Sequence, residues 1–174
     1  MSVEFPAGFE LQRLQREHPR SRFRSGQPKV DEWLATKALQ HQSKRLSVTK
    51  VLLDNSNSIV GYYTLASGQV DCSDLPPDVA KHLPRRQLPV AILAWLGVAE
   101  HRQGAGLGGR LLAQALRDCF EAAATFPFVA VVLDCIDDRA KSFYQQWRFA
   151  ELPGNPYRLF LSAKLLEALM ETSE

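Results

Sequence analysis

The 174-residue chain has few cysteines, no long hydrophobic run and little net charge. Its three cysteines, Cys72, Cys119 and Cys135, are odd in number and form no C-x-x-C pair, which argues against a disulfide framework and a structural zinc site. The longest apolar stretch, residues 88–99, is too short to cross a membrane, and the N-terminal residues lack the basic and apolar segments of a signal peptide. We therefore expect a cytoplasmic protein that uses neither a membrane nor a metal.

The composition is that of an ordinary globular domain. Hydrophobic residues make up 45% and charged residues 23% of the chain, which excludes a disordered, collagenous or coiled-coil protein. A domain of this length can bury about 70% of the surface that its unfolded chain exposes. We therefore expect a single domain that spans residues 1–174.

Basic residues are concentrated in the N-terminal third. Residues 1–50 hold ten Lys and Arg against five Asp and Glu, a net charge of +5, whereas the remainder holds eleven against fourteen, a net charge of −3. A basic face suits a polyanion, because each phosphate that it neutralises releases condensed counterions. An ordinary solvated surface would have the same composition. The basic residues are densest at Arg13, Arg16, Arg20, Arg22 and Arg24, and return at Lys44, Arg45 and Lys50.

Helical and strand patterns alternate along the chain and predict an α/β domain on a mixed sheet. Two β-rich runs joined by the polar turn 54–58 indicate a hairpin, and the four prolines between residues 67 and 89 argue for irregular structure. The nearly apolar run 90–98 is typical of a strand covered on both faces. The predicted strands are 48–53, 59–66, 90–98, 128–133 and 157–161, and the predicted helices are 30–38, 106–123, a short segment capped by Asp137 or Asp138, and 163–170.

A glycine-rich segment, residues 103–109, follows the predicted strand 90–98 and opens the next helix. Glycines at such a junction let backbone N–H groups crowd toward an anion, and the helix N-terminus adds partial positive charge. The segment therefore predicts a phosphate or pyrophosphate site.

Two known phosphate-binding loops and a turn without a ligand are possible interpretations of this segment. A Walker A loop is excluded, because Arg110 and Leu111 stand where Lys and Ser or Thr are required. A dinucleotide fingerprint has the glycines 104, 106 and 109 and an acid, Asp134, at the end of the next strand, but it usually opens a series of βαβ units that this chain lacks. A glycine-rich turn without a ligand also explains the glycines.

The segment resembles the acyl-CoA loop of the GNAT acetyltransferases. Gln103-Gly104-Ala105-Gly106-Leu107-Gly108 matches their pattern Q/R-x-x-G-x-G/A, and Ala140-Lys141-Ser142-Phe143-Tyr144 resembles the A-x-x-F-Y of their last helix, with Phe149 after it. The resemblance implies a GNAT fold, a mixed central sheet with a splayed strand pair and flanking helices.

Three motifs in the N-terminal half resemble the GNAT toxins of bacterial toxin–antitoxin pairs. They are Phe23-x-Ser25-Gly26, Asp31-x-Trp33-Leu34 and Gly61-Tyr62-Tyr63-x-Leu65-Ala66. Such toxins use acetyl-CoA to acetylate the amino group of aminoacyl-tRNA, which blocks translation, and a ribbon-helix-helix antitoxin neutralises them. The resemblance implies this activity and this antitoxin here, with tRNA held by the basic N-terminal region, and it allows a homodimer.

The resemblance also assigns roles to residues. A phenol has a pKa near 10 and is protonated at neutral pH, so Tyr144 is the expected catalytic acid for the departing thiolate. Glu100 and His101 lie just past the strand end, but we assign no general base. The expected cofactor-binding residues are Leu96, Gly97, Val98, Gln103, Gly104, Ala105, Gly106, Leu107, Gly108, Gly109 and Asp137.

The sequence departs from the toxin pattern at three positions. Trp95 stands where these toxins often carry arginine, Asp137 where many relatives offer asparagine to the cofactor, and Arg148 where glycine usually precedes the phenylalanine. These departures leave other functions open. One is acetylation of a small amine or a protein amino group, with an acidic pocket from Asp71, Asp74 and Asp78, and another is a non-catalytic GNAT-like binding protein.

Overall fold

The computed structural model describes residues 3–172, which form a mixed α/β structure. Seven strands lie in one sheet in the order β1-β2-β3-β4-β5-β7-β6. The pair β4·β5 is parallel, and β1·β2, β2·β3, β5·β7 and β6·β7 are antiparallel. The strands are β1 Glu10–Arg13, β2 Val48–Leu53, β3 Ile59–Asp71, β4 Gln87–Val98, β5 Ala130–Asp134, β6 Ala150–Leu152 and β7 Asn155–Ser162, and the helices are α1 Pro28–Thr36, α2 Ala38–Ser43, α3 Pro77–Ala80, α4 Leu107–Ala122, α5 Asp138–Gln145 and α6 Ala163–Glu171.

The predicted hairpin is confirmed as β2 and β3. Its turn is held by Asp54, whose Oδ1 accepts the N–H groups of Ser56 and Ser58 at 2.9 and 3.0 Å. Asn57 takes a left-handed φ of 59° in the same turn. Aspartate and asparagine stabilise turns in this way, because their short side chains bond nearby backbone and tolerate the left-handed region.

The expectation of irregular structure over residues 67–89 is wrong at both ends. β3 continues to Asp71 and β4 already begins at Gln87. Pro89 is compatible with β4 because its carbonyl accepts the Val129 N–H at 2.9 Å, a bond that needs no proline donor. Sequence patterns also missed β1 and β6, which have four and three residues and are too short to show a period.

The described chain divides into two compact units. We call residues 3–66 with 93–117 the N-terminal unit, and residues 67–92 with 118–172 the C-terminal unit. In the first, Tyr62 is buried and its hydroxyl donates to the Val30 carbonyl at 2.6 Å, which joins β3 to α1. In the second, side chains such as Val90, Val132 and Phe160 form a separate apolar cluster. The single domain stays a prediction.

Candidate active site

The glycine loop of the N-terminal unit is open to solvent. Gly104 and Gly106 have φ angles of 81° and 83°, where a side chain is strained by about 1–2 kcal/mol. A Cβ atom built at either position would meet nothing within 4 Å. Backbone conformation therefore favours glycine at both positions, and open space lies beside them. Ala105 between them is also exposed.

The loop leads into the first turn of α4. The Arg110 N–H donates to the Gly106 carbonyl at 3.2 Å and closes the first helical turn, and the buried Leu107 side chain holds that turn to the core. The first N–H groups of a helix have no partner within the helix and carry partial positive charge. Leu107, Gly108 and Gly109 therefore offer main-chain donors, as an anion site needs.

Gln103 differs from the other predicted loop residues, because its side chain is engaged by protein. Its Nε2 donates to the Ser25 carbonyl at 2.7 Å and to the Val98 carbonyl at 2.9 Å. Its backbone N–H donates to the Glu100 carbonyl at 3.2 Å. The residue that opens the loop is thus fixed against two other segments of the N-terminal unit.

The end of β4 has a partly open apolar surface. The ladder between β4 and β5 covers three pairs, from Val90–Ala130 to Ile92–Val132, and β4 continues to Val98. Leu96 and Val98 are only half-buried, so the expectation that both faces of this strand are covered is wrong at its C-terminal end. Gly97 is buried, and a Cβ there would lie 2.6 Å from the Val30 Cγ1. Glycine at this position therefore allows the β4 backbone to approach the Val30 side chain closely.

An aromatic cluster lies beside this strand end. The Trp95 ring stacks on the Trp33 ring of α1, with centroids 5.5 Å and planes 21° apart, and the His41 ring approaches Trp33 edge-on at 5.8 Å. All three side chains are half-buried. Where the toxin pattern often has a charged residue, this chain therefore has aromatic surface.

Tyr144 lies at the end of α5 in the C-terminal unit. The Asp137 carboxylate accepts the Ala140 N–H at 2.8 Å and begins the helix as its N-cap. At the other end, the N–H groups of Arg148 and Phe149 donate to the carbonyls of Gln145 and Tyr144, and Arg148 takes a φ of 69°. This is a Schellman motif, with arginine in the left-handed position that glycine usually fills.

The Tyr144 ring is buried between aromatic neighbours. Its centroid lies 5.1 Å from that of Phe143 and 5.8 Å from that of Phe149, both edge-on. Burial raises the pKa of the phenol, and the nearby Cys135 raises it further, because both disfavour the phenolate. Tyr144 is therefore neutral throughout the physiological range.

Cys135 is a poor nucleophile. Burial raises the pKa of its thiol to about 11, and the carboxylates of Asp134 and Asp137 act in the same direction against the opposing effect of Lys141. Since the thiolate is the nucleophilic form, an acetyl-cysteine intermediate at this residue is disfavoured.

For the acetyl transfer that the loop motif predicts, we expect the rate of Cys135→Ser to stay within about twofold of that of the unsubstituted protein, because the weakly ionised thiol takes no part in bond formation. Mass spectrometry after incubation with acetyl-CoA alone checks the same point. A stable acetyl adduct on Cys135, or a large loss of rate in the serine variant, would show that the reaction passes through an acetyl-cysteine intermediate and would contradict the prediction.

Other predicted acids are engaged in structure. Asp134 forms two hydrogen bonds to Arg158, at 2.9 and 3.2 Å, across the antiparallel pair β5·β7, and this topology is not the βαβ series of a dinucleotide site. Asp71 accepts bonds from Ser73 and Gln87, and its bond to the Ser73 side chain is the main cause of its lowered pKa. Asp71 is thus a cap of the loop before α3. Within residues 3–172, no cluster of three or more His, Cys, Asp or Glu could hold a metal ion.

The basic residues of the N-terminal unit are not equally free. Arg13, Arg16 and Arg22 are exposed. Arg24 donates to the main-chain carbonyls of Ser21 and Phe23, both at 2.8 Å, and Arg20 is half-buried. The first three are therefore the better candidates for contacts with a polyanion. In the part of the chain that the structure describes, no helix is long and apolar enough to span a membrane.

Together these features define an α/β protein with a mixed seven-stranded sheet and an exposed glycine loop between a strand and a helix. The chain belongs to the acetyltransferase (GNAT) family, whose model matches residues 10–149. This confirms the fold and the enzyme class that the loop motif predicts.

Relatives and solved structures agree with this assignment. The chain is 34% identical over 148 residues to a tRNA-acetylating toxin of Mycobacterium tuberculosis (strain ATCC 25618 / H37Rv), a match that covers 85% of this chain and 88% of the relative. Its fold is similar to that of AtaT complexed with acetyl-methionyl-tRNAfMet, with a TM-score of 0.86, 23% identity and coverage of 93% and 99% of the two chains. It is also similar to an AtaT mutant toxin bound to the C-terminus of the antitoxin AtaR and acetyl-CoA, with a TM-score of 0.79, 21% identity and coverage of 94% and 98%.

Proposed function

We propose that this protein is a toxin that transfers the acetyl group of acetyl-CoA to the amino group of an aminoacyl-tRNA and thereby blocks translation. The open loop with its two left-handed glycines carries the proposal, because it can receive the pyrophosphate of the cofactor. The 34% identity to a tRNA-acetylating toxin over most of both chains supports the choice of acceptor. The family match also runs through residues of both units, which supports one acetyltransferase domain.

The loop and the end of β4 then bind different parts of the cofactor. Main-chain N–H groups from Gly104 to Gly109 bind the pyrophosphate, and the main chain around Leu96 and Val98 pairs with the pantetheine arm as an added strand would. Because the ladder with β5 ends at Ile92, six residues of β4 lie beyond it. The Asp137 carboxylate caps α5, and this residue is the proposed cofactor contact at the start of that helix.

Tyr144 supplies the proton that the reaction needs. The neutral amine of the aminoacyl ester attacks the thioester carbonyl, the carbon–sulfur bond breaks, and the departing sulfur takes a proton. A phenol kept neutral by burial can give that proton at the leaving group. The amine loses its own proton to solvent, Tyr144 regains one from solvent, and no further base is assigned.

Two macromolecular partners follow from this function. The exposed arginines of the N-terminal unit contact tRNA phosphates, which position the RNA without reading its sequence. A ribbon-helix-helix antitoxin would neutralise the enzyme in the cytoplasm, where charged tRNA is found, and a homodimer is compatible with the same function. The AtaT structure with the antitoxin AtaR supports the antitoxin.

The direct experiment incubates the protein with labelled acetyl-CoA and either charged or deacylated tRNA. We expect label only on the charged pool, because the ester-linked amino acid carries the accepting amine. Parallel reactions replace the tRNA with a polyamine or with a protein that carries lysines. Label on either of these and none on charged tRNA would contradict the proposed acceptor and favour acetylation of a small amine or a protein.

Reversing two exposed charges tests the RNA contacts. In the double variant Arg16→Glu with Arg22→Glu, we expect KM for charged tRNA to rise about tenfold. The slope of the logarithm of the tRNA-binding constant against the logarithm of the salt concentration should become shallower by about 1 to 2. The Kd for acetyl-CoA should stay the same. The control, Arg85→Glu with Arg86→Glu, makes an equal charge change at two exposed positions of the C-terminal unit. Equal losses in both double variants would contradict a specific role for the N-terminal arginines.

A further inference from the structure

The N-terminal motif Phe23-x-Ser25-Gly26 forms a compact hydrogen-bonded turn with α1. The Asp31 Oδ1 accepts from the Ser25 backbone N–H at 2.9 Å and from the Ser25 hydroxyl at 2.6 Å. The Ser25 hydroxyl oxygen in turn accepts the Gln27 N–H at 3.1 Å. Ser25 is only 8% exposed, and the three bonds are partly buried.

The same turn is bonded to the start of the glycine loop. The Ser25 carbonyl accepts one N–H of the Gln103 side chain, and the Val98 carbonyl at the end of β4 accepts the other. A second bond joins the same two regions, because the Glu100 N–H donates to the Arg24 carbonyl at 2.8 Å. Gln103 thus joins the end of β4, five residues earlier in the chain, to the turn at Ser25, which is 78 residues away.

Hydrogen-bond capacity excludes the Gln103 amide nitrogen as a phosphate ligand in this arrangement. A glutamine NH₂ group has two hydrogens, and both point at main-chain carbonyls. Those carbonyls are acceptors only, which also fixes which end of the amide faces them. The remaining side-chain atom, Oε1, is an acceptor and would repel a phosphate. The effect of Gln103 on the cofactor must therefore pass through the loop that it holds.

We propose that Gln103 is a positioning residue, and that the chain of bonds from Asp31 through Ser25 and Gln103 to Val98 holds the glycine loop in its anion-binding conformation. We call this set of four residues the Gln103 brace. Its function is to keep the loop and the end of β4 at a constant separation, so that one extended ligand can contact both. The inference rests on the acetyl-CoA site of the proposed function and not on its acceptor.

Calorimetric titration with CoA alone tests the brace. Gln103→Met keeps the size and charge of the side chain and removes both donors, and we expect the Kd for CoA to rise about tenfold, equivalent to about 1.4 kcal/mol. Pantetheine, which lacks the pyrophosphate, should bind the variant within twofold of the unsubstituted protein. An unchanged Kd for CoA, or equal weakening of both ligands, would overturn the proposal.

Asp31→Ala separates positioning from simple electrostatics. Removing a negative charge would by itself strengthen binding of the anionic cofactor, whereas loss of the brace weakens it, and we expect the Kd for CoA to rise about threefold. In the double variant with Gln103→Met, Asp31→Ala should add almost nothing, because both substitutions break one chain of bonds. Tighter binding in Asp31→Ala, or fully additive effects, would overturn the proposal.

Asp31→Asn keeps an oxygen that can accept both Ser25 donors and should stay close to the unsubstituted protein, which controls for misfolding of the alanine variant. These titrations use the cofactor alone. A failure to acetylate tRNA would therefore contradict only the proposed acceptor and not the role of the Gln103 brace in cofactor binding.

Discussion

Tyr144→Phe is expected to lower kcat for acetyl transfer by about 100- to 1000-fold, the usual contribution of a positioned acid. The substitution removes one oxygen and keeps the ring that packs edge-on against Phe143 and Phe149. The Kd for acetyl-CoA should therefore stay within about twofold, since only the proton donor is lost. Labelled acetyl transfer to charged tRNA at saturating acetyl-CoA gives kcat, and calorimetry gives the Kd.

Tyr157→Phe is the matched control for this prediction. Tyr157 lies in the same unit and is exposed, and its hydroxyl donates to Asp138 at 2.6 Å. Its loss should leave kcat unchanged within about twofold. A kcat for Tyr144→Phe equal to that of Tyr157→Phe would show that Tyr144 only packs.

The pH dependence follows from the direction of the Tyr144 shift. Burial raises the pKa of this phenol, so its proton is retained above the ordinary value near 10. We expect no fall in kcat from loss of the Tyr144 proton at any pH below about 10. A basic limb in kcat with a midpoint near pH 8 would assign the titrating acid to another group.

Gly106→Val is expected to weaken acetyl-CoA binding by about 10- to 100-fold. Valine is strained at a φ of 83°, and its side chain fills the space beside the loop where the pyrophosphate is proposed to lie. Loss of one or two hydrogen bonds to a charged group, each worth about 1.5–3 kcal/mol, accounts for the size of the effect. Equilibrium titration with acetyl-CoA measures it.

Gly154→Val controls for backbone strain. Gly154 has a φ of 75° in the turn between β6 and β7, and a Cβ there also meets nothing within 4 Å. The two variants should lose similar stability in thermal unfolding, but only Gly106→Val should lose affinity. Similar losses of affinity in both would remove the glycine loop from the cofactor site.

Local patterns predicted much of the candidate site. The glycines of the loop, the start of α4 and the N-cap of α5 each depend on residues within a few positions of one another, so their signals are readable from sequence. Arg148 shows the limit of this approach. The Schellman turn after Tyr144 forms with arginine at its left-handed position, because the two carbonyl bonds and the burial of Phe149 hold a conformation that arginine alone would not choose.

Side-chain roles within the site were less predictable. Gln103 belongs to a recognisable motif, but its partner Ser25 is 78 residues away, and no local pattern shows that its two donors face carbonyls. In the sequence, the motifs around Ser25 and Asp31 showed only a resemblance to the GNAT toxins and no structural role. Their hydrogen bonds explain them, since one carboxylate organises the turn that receives Gln103.

By itself the sequence determined the α/β class, the glycine loop and the hairpin, and its motifs carried the resemblance to the family that was then confirmed. The class, the loop and the hairpin depend on periodicity, turn chemistry and glycine conformation, which act over a few residues. Tertiary structure alone decided where β3 ends and where β4 begins, that the short strands β1 and β6 exist, and which predicted residues are engaged by protein. Such features depend on cross-strand pairing and on hydrogen bonds between distant segments, and those arise only when the folded backbone brings the partners together.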